Sequence, residues 1–467
     1  MSRGAFCLVL HGHLPWVLHH GRWPHGEDWI YEAASETWLP LLRVLDQCEV
    51  EGIRPAWSVG LTPVLLEQLA AREFAIGFRR YLRDCQGQAE RDQGDFHTWG
   101  HPHISWLAGR YLEHYEDQRT RFDAIGGDLL GAFRAHAEAG RIELLTSNAT
   151  HAYHPLLLHD RSARAQIRVG IATSERHLGW RPRGAWLPEC AYRPPGPWHP
   201  PVVHGDVRDR VGVATLFADE GVRWFVVEDG LVQNAVPAAM LDGDRVVPLG
   251  PGTAPDPTRA WGDVLEPVRV VEGGILTELT ALGRCNEVAE HVWNAEMGYP
   301  GDGRYLEFHK RHGIRGLRYW RVTSRKADLG QKLEYHPEQA HDGVFTHADH
   351  FANRIRERLS NHGQATGRYG VLCAPFDAEL FGHWWAEGPD FLLEVARRLH
   401  HDSEVDVRTV SEALDRAPAD KGVALPEGSW GAGGDHRVWL GEHTWFVWNA
   451  EYRAEDRFID LWHRADW

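Results

Sequence analysis

The sequence predicts an α/β fold built on a parallel sheet with both faces covered, open or closed into a barrel. Two observations predict it: short apolar runs alternate with amphipathic stretches, and polar residues gather just after the apolar runs. Ala5–Leu10 is the first run and ends at His11, as a buried strand would. Tyr31–Glu49 carries Trp38, Leu42 and Leu45 at helical spacing. Residues 56–59 read as a strand, and Thr62 with Pro63 opens a helix at its cap and first turn. Further strands are expected at 141–145, 184–187, 223–227 and 369–373, and helices at 162–178 and 347–359. In such folds chemistry collects at the carboxyl ends of the strands. Here His11 and His13, Thr146 to His151, Glu189 and Asp377 all follow apolar runs.

The 467 residues exceed a single-domain length, and the hydrophobic and charged fractions, 43% and 25%, are those of a globular chain. A net charge of −16 argues against nucleic acid or an anionic membrane as partner, because both call for clustered Lys and Arg. No apolar stretch has the length of a spanning helix, and the run before His11 is too short for a signal-peptide core, so a cytoplasmic location is expected. The six cysteines are widely spaced, with no CxxC pair. Twenty-two tryptophans stand out, since a flat apolar face with one N–H donor suits stacking on sugar rings as well as core packing. Two segments break the strand–helix rhythm: proline-rich 193–201, expected as a loop or small inserted subdomain, and 248–267, expected as a surface loop. The composition turns to Gly and Trp after about residue 415.

Two segments carry chemistry. Trp186-Leu-Pro-Glu189 and Ala374-Pro-Phe-Asp377-Ala-Glu379-Leu-Phe-Gly-His383-Trp-Trp385 each place a carboxylate just beyond an apolar strand. Two acids brought by different strands to one rim are what cleavage of a glycosidic bond requires, one attacking the anomeric carbon and the other donating a proton. Ordinary salt bridges are the competing reading.

These two segments, with His11-Gly-His13-Leu-Pro-Trp16, residues 144–157 and residues 428–436, resemble glycoside hydrolase family 57, and within it the 1,4-α-glucan branching enzymes. The resemblance implies a distorted seven-stranded (β/α)7 barrel with a small inserted subdomain and a helical carboxyl-terminal domain. The corresponding boundaries are 1–190 and 221–385 for the barrel, 191–220 for the insert, and 386–467 for the helical domain. It implies a retaining double displacement on an α-1,4-glucan, with Glu189 as nucleophile and Asp377 as general acid/base, Glu379 being the rival for the second role. His11, His13 and His151 are expected to hydrogen-bond sugar. Trp293 and Trp430 are expected as stacking walls, with Trp16, His383 and Trp439 as weaker contacts. No metal and no cofactor is expected: His97 and His101 have a metal-pair spacing but lack an Asp-Asp partner. The protein is expected as a monomer or small homo-oligomer.

The resemblance thins at the loop that branching members place over the cleft with a tyrosine at its tip. The corresponding segment is 236–267, yet no tyrosine occurs between Tyr192 and Tyr299, and Trp261 is its one aromatic. Trp261 is therefore expected to cover the cleft. Without it, a mainly hydrolytic or 4-α-glucan-transferring member is the alternative.

Overall fold

The computed structural model describes residues 3–202, 205–243, 245–249, 261–313 and 316–464. Its framework is a set of parallel strands: β1 Gly4–Gly12, β2 Trp57–Leu61, β3 Ile142–Leu145, β4 Gly184–Ala185, β5 Trp224–Val227, β6 Ile275–Gly283 and β7 Gly370–Asp377. One sheet runs β7-β1-β2-β3, and a second contains β4-β5-β6, all neighbours parallel. Isolated parallel bridges join the sheets at both edges, Thr146 with Ala185 and Arg284 with Cys373. These strands fall where the apolar runs predict, except that β4 is shorter than expected and β6 was not anticipated.

Side-chain alternation then fixes which residues face inward. Ala5, Cys7 and Val9 of β1 pack with Leu145, Trp186, Val226, Leu282, Val371 and Cys373, so both sheets contribute to one small interior cluster. Phe6, Leu8 and Leu10 belong instead to the large cluster shared with the helices. Two residues beyond Val9 comes His11, and four beyond Cys373 comes Asp377. The pattern thus carries both onto the inner side at the carboxyl ends, where His11 and Asp377 are register partners.

The helices cover the outside. Glu27–Ala33 (α1) and Leu39–Val50 (α2) form one helical stretch interrupted by a π-helical turn at Ala34–Trp38. Pro63–Ala70 (α3), with Thr62 before it, begins where the Thr-Pro signal places it. Arg72–Thr98 (α4) and Pro102–Ala124 (α5) pack as a long antiparallel pair between β2 and β3. Asp160–Leu178 (α7, after α6 at Leu129–Glu138) ends at Gly179, whose φ of +91° is the left-handed cap that glycine supplies. Asn286–Trp293 (α8), Pro337–Thr366 (α9) and Gly388–His400 (α10) follow, and Trp445–Arg464 (α11) ends the described chain. Among the described residues no helix is long and apolar enough to cross a membrane.

Three regions depart from expectation. The 191–220 insert is a hairpin, Gly196–Trp198 against Arg208–Arg210, followed by a helix, Val213–Asp219, whose apolar side joins the main core. The 386–467 stretch is not purely helical: Val405–Val407 pairs with β1, and Lys421–Ala424 lies between Val268–Glu272 and Val236–Asp242 in the second sheet. These short apolar runs complete sheets begun elsewhere, which is why they do not form a unit of their own. Finally, 236–267 is not one open loop. Val236–Asp242 and Arg245–Pro248 form a hairpin, and Val264, Leu265 and Glu266 are buried, while 250–260 lie outside the described residues.

Candidate active site

Glu189 stands in a short turn after β4, and its backbone is left-handed (φ 61°, ψ 24°), as is that of Cys190 (φ 49°). Side chains there cost about 1–3 kcal/mol each and persist only when the surroundings hold them. The holding groups are visible. The Glu189 carbonyl accepts the Trp430 amide at 3.0 Å, and Tyr192 and Gly428 exchange backbone hydrogen bonds. The Trp430 indole N–H donates to Glu189 Oε2 at 2.6 Å, stabilising the charged carboxylate against the burial that pushes its pKa up.

Asp377, the last residue of β7, walls the same cavity of about 490 Å³ together with Glu189, His11, His13, His151, Glu379 and His383. Burial, followed by the nearby negative charge of Glu189, pushes its carboxyl up to about 7, opposed by the Arg284 guanidinium. Glu379 also lines the cavity, but it is occupied with structure. Its Oε1 accepts the His13 amide at 3.1 Å. Burial and the Asp377 charge push it far above the usual carboxylate range.

The three histidines stack on one another, and His11 stacks on Trp186. His11 lies on Trp186 with ring centroids 4.6 Å apart, and His151 lies 4.8 Å from His11 and 4.0 Å from His13. The Nε2 atoms of His11 and His151 are 2.9 Å apart, so one must donate and the other accept. That bond requires at least one neutral ring, and burial favours neutrality throughout: His11 and His151 are lowered well below the usual range and His13 to about 4. The site therefore joins neutral imidazoles, able to donate or accept, to two carboxyls of unequal acidity.

The other candidates separate into neighbours of this cavity and residues apart from it. Trp430 touches Glu189, and Trp293 lies against Trp430 with centroids 5.7 Å apart. Trp293 also walls a groove of about 670 Å³ that shares Phe308 and Trp384 with the cavity. Trp16 is 44% exposed, donates its indole N–H to the Leu18 carbonyl and does not line the cavity. Trp439 packs on Tyr153 at 4.6 Å within a small hydrophobic cluster, a packing role.

Trp261 is a correction. Its ring faces Lys421, whose ammonium reaches toward Glu266, and the adjacent Leu265 carbonyl bonds the Val371 amide. Val371 opens β7 and Asp377 closes it, so Trp261 sits at the opposite end of the strand, roughly 20 Å from the cavity. Its buried followers, Val264 to Glu266, tie that segment to the amino ends of the strands, so Trp261 does not cover the cleft.

Sequence reasoning passed over Trp23, Asp28, Trp29, Glu32, Phe308 and Arg311, all of which line the cavity. Only the high tryptophan count hinted at this rim. Among the described residues, one acid–histidine group near the site, Glu32, Glu36 and His383, has its polar atoms close enough to hold a metal ion. Arg318 already pairs with Glu36 at 2.7 Å, however, and Arg311 lies 3.6 Å from Glu32, so two cations occupy that negative charge.

The chain is 37% identical over 98% of its length to a 1,4-alpha-glucan branching enzyme of Thermococcus kodakarensis, spanning 65% of that relative's length. It is 33% identical over 94% of its length to a probable 1,4-alpha-glucan branching enzyme of Mycobacterium tuberculosis, spanning 76% of it. The crystal structure of a branching enzyme from Pyrococcus horikoshii superposes with a TM-score of 0.88 at 35% identity, covering all of this chain and 80% of the other. An alpha-amylase of Thermotoga maritima gives 0.76 at 29% identity, covering 92% and 78%. Residues 7–261 match glycosyl hydrolase family 57. The chain belongs to glycosyl hydrolase family 57.

Proposed function

We propose that this protein is a cytoplasmic 1,4-α-glucan branching enzyme that takes part in building a glycogen-like polymer. In this reading its seven parallel strands and their two edge bridges form a distorted (β/α)7 barrel, and α11 with the preceding Trp-rich segment closes over one side of the site. The observation that carries the reading is a single cavity walled by Glu189 and Asp377 from different strands, with the Trp430 indole bonded to Glu189 and burial pushing Asp377 up to about 7.

The reaction follows from that asymmetry. Glu189, ionised and steadied by the Trp430 indole, attacks the anomeric carbon while Asp377 gives its proton to the departing glycosidic oxygen. The α-1,4 C–O bond breaks and a glycosyl ester on Glu189 forms. Asp377, now a carboxylate, takes the proton of an acceptor glucan's 6-hydroxyl. That oxygen attacks the anomeric carbon, the ester bond breaks, and Glu189 returns as a carboxylate with the α-1,6 link made. Asp377 rather than Glu379 fills the acid/base role because Glu379 is engaged by the His13 amide. His11, His13 and His151 supply neutral partners for sugar hydroxyls. Trp293, Phe308 and Trp384 line a continuous path suited to several glucose units.

A mainly hydrolytic or 4-α-glucan-transferring activity is the second reading, favoured by the position of Trp261 away from the cleft. Incubation with amylose decides between them. Branching gives chains released by isoamylase with few new reducing ends. Hydrolysis gives reducing ends alone.

A further inference from the structure

His383 lines the cavity, and its surroundings fix more than its position. Its Nδ1 lies 2.6 Å from Glu36 Oε2. The other oxygen of Glu36 accepts from Arg318 at 2.7 Å, and the same guanidinium donates to the His383 backbone carbonyl at 3.1 Å. Three residues thus close a ring of hydrogen bonds around one imidazole, with Arg318 buried.

Two backbone features make the ring possible. The π-helical turn Ala34–Trp38 places Glu36 beside His383, and such turns recur at functional sites. Gly382, with φ +116°, brings the segment before His383 so close that a Cβ there would lie 1.7 Å from the Glu36 carbonyl oxygen. Only glycine permits that approach.

Resting on the branching-enzyme reading, we propose that Glu36, held by Arg318, is a positioning residue that fixes the His383 ring hydrogen on Nδ1 and leaves Nε2 to accept a hydrogen bond from a sugar hydroxyl in the cavity. An ionised carboxylate has no hydrogen to give, so the proton of a neutral ring must sit on the nitrogen facing it. Glu36 is ionised here: burial pushes it up, but the Arg318 charge and the His383 hydrogen bond outweigh that and hold it near 2. Glutamine in its place would offer an amide N–H to Nδ1 and turn Nε2 into a donor. Phe308, 5.4 Å from the His383 ring, and Trp384 flank it with apolar faces, and Glu32 and Arg311 line the same cavity.

The test reads the ring nitrogens by 15N NMR of histidine-labelled full-length protein without glucan, with His383 assigned by the signals lost in His383→Gln. The wild type is expected to show His383 with protonated Nδ1 and unprotonated Nε2. In Glu36→Gln the pattern reverses, KM for amylose rises on the order of ten-fold, and kcat stays within about two-fold. Glu36→Asp, which keeps a carboxylate, is expected to restore the wild-type nitrogen pattern; this variant carries the test if Glu36→Gln does not fold. An imidazolium or an Nε2–H tautomer in the wild type overturns the proposal, as does a nitrogen pattern unchanged in Glu36→Gln or a reversed pattern in Glu36→Asp. The spectrum is recorded without substrate, so these outcomes stand apart from whether the enzyme branches, hydrolyses or disproportionates glucan.

Discussion

The two ends of strand β7 treat buried histidine in opposite ways. At the carboxyl end, His11, His13 and His151 face one another and Trp186, and burial with no adjacent carboxylate hydrogen bond drives all three toward neutrality. At the amino end, His362 lies against Gly370 with Asp263 at 2.8 Å and Glu266 at 3.2 Å, and its pKa rises to about 9 despite the same desolvation. Burial alone therefore does not set the charge of an imidazole; at His362 two carboxylate partners outweigh it. The amino end uses that charge to hold the 261–267 segment against the amino ends of the strands, with Arg358, Arg368 and Lys421 around the same acids. The carboxyl end withholds it, which leaves imidazoles able both to donate and to accept.

The largest break in this contrast is expected at the acids. Glu189→Gln and Asp377→Asn should each lower kcat by at least about 10²–10⁴-fold while amylose binding, measured by calorimetry, stays nearly intact. Full turnover in either variant removes its role. In the wild type, protonated Asp377 is the required acid, so the alkaline limb of kcat/KM should fall near pH 7.

A smaller effect, on stability alone, is expected at the other end. The pKa of His362 is raised on folding from the usual 6.5 to about 9, so its contribution is full below about pH 6.5 and is lost as pH rises through 9. The loss amounts to roughly 3 kcal/mol, read by urea unfolding at pH 6 and pH 10. His362→Gln should flatten that dependence and leave kcat at pH 6 unchanged. A pH slope equal to wild type would refute the charged pair.

The smallest effect on chemistry is expected from Trp261→Ala. Because the ring is at the amino end, the ratio of branching to hydrolysis should not move, while unfolding should become easier by about 2 kcal/mol through lost packing. A rise in hydrolysis would return Trp261 to the cleft.

How far the sequence anticipates this differs between the framework and the rim. β1, β5 and β7 are continuous apolar runs, and alternation along them carries His11 and Asp377 inward, so strands and acids were both legible. The turn chemistry at Pro188–Cys190 was marked by proline, although a left-handed glutamate has no sequence signal. The rim was not legible, because Trp29 and Glu32 sit on α1, Trp384 follows β7, and Phe308 and Arg311 lie on a long connection before α9. Their convergence is a tertiary event with no periodicity to announce it. Trp261 misled because distance along the chain does not reveal which end of a barrel a connection caps. The interrupted helix at 34–38 escaped for a similar reason: residues 31–49 keep a helical pattern whether or not one turn widens.

The left-handed turn at Glu189 has a consequence for how the chain is made. Its amide anchor and its indole partner both come from Trp430, 241 positions later, and the Tyr192–Gly428 pair closes the same junction. A ribosome releasing this chain from the amino end exposes Glu189 long before either support emerges. Until the Gly428–Trp430 stretch is in place the glutamate lacks both Trp430 hydrogen bonds that hold its costly backbone angle.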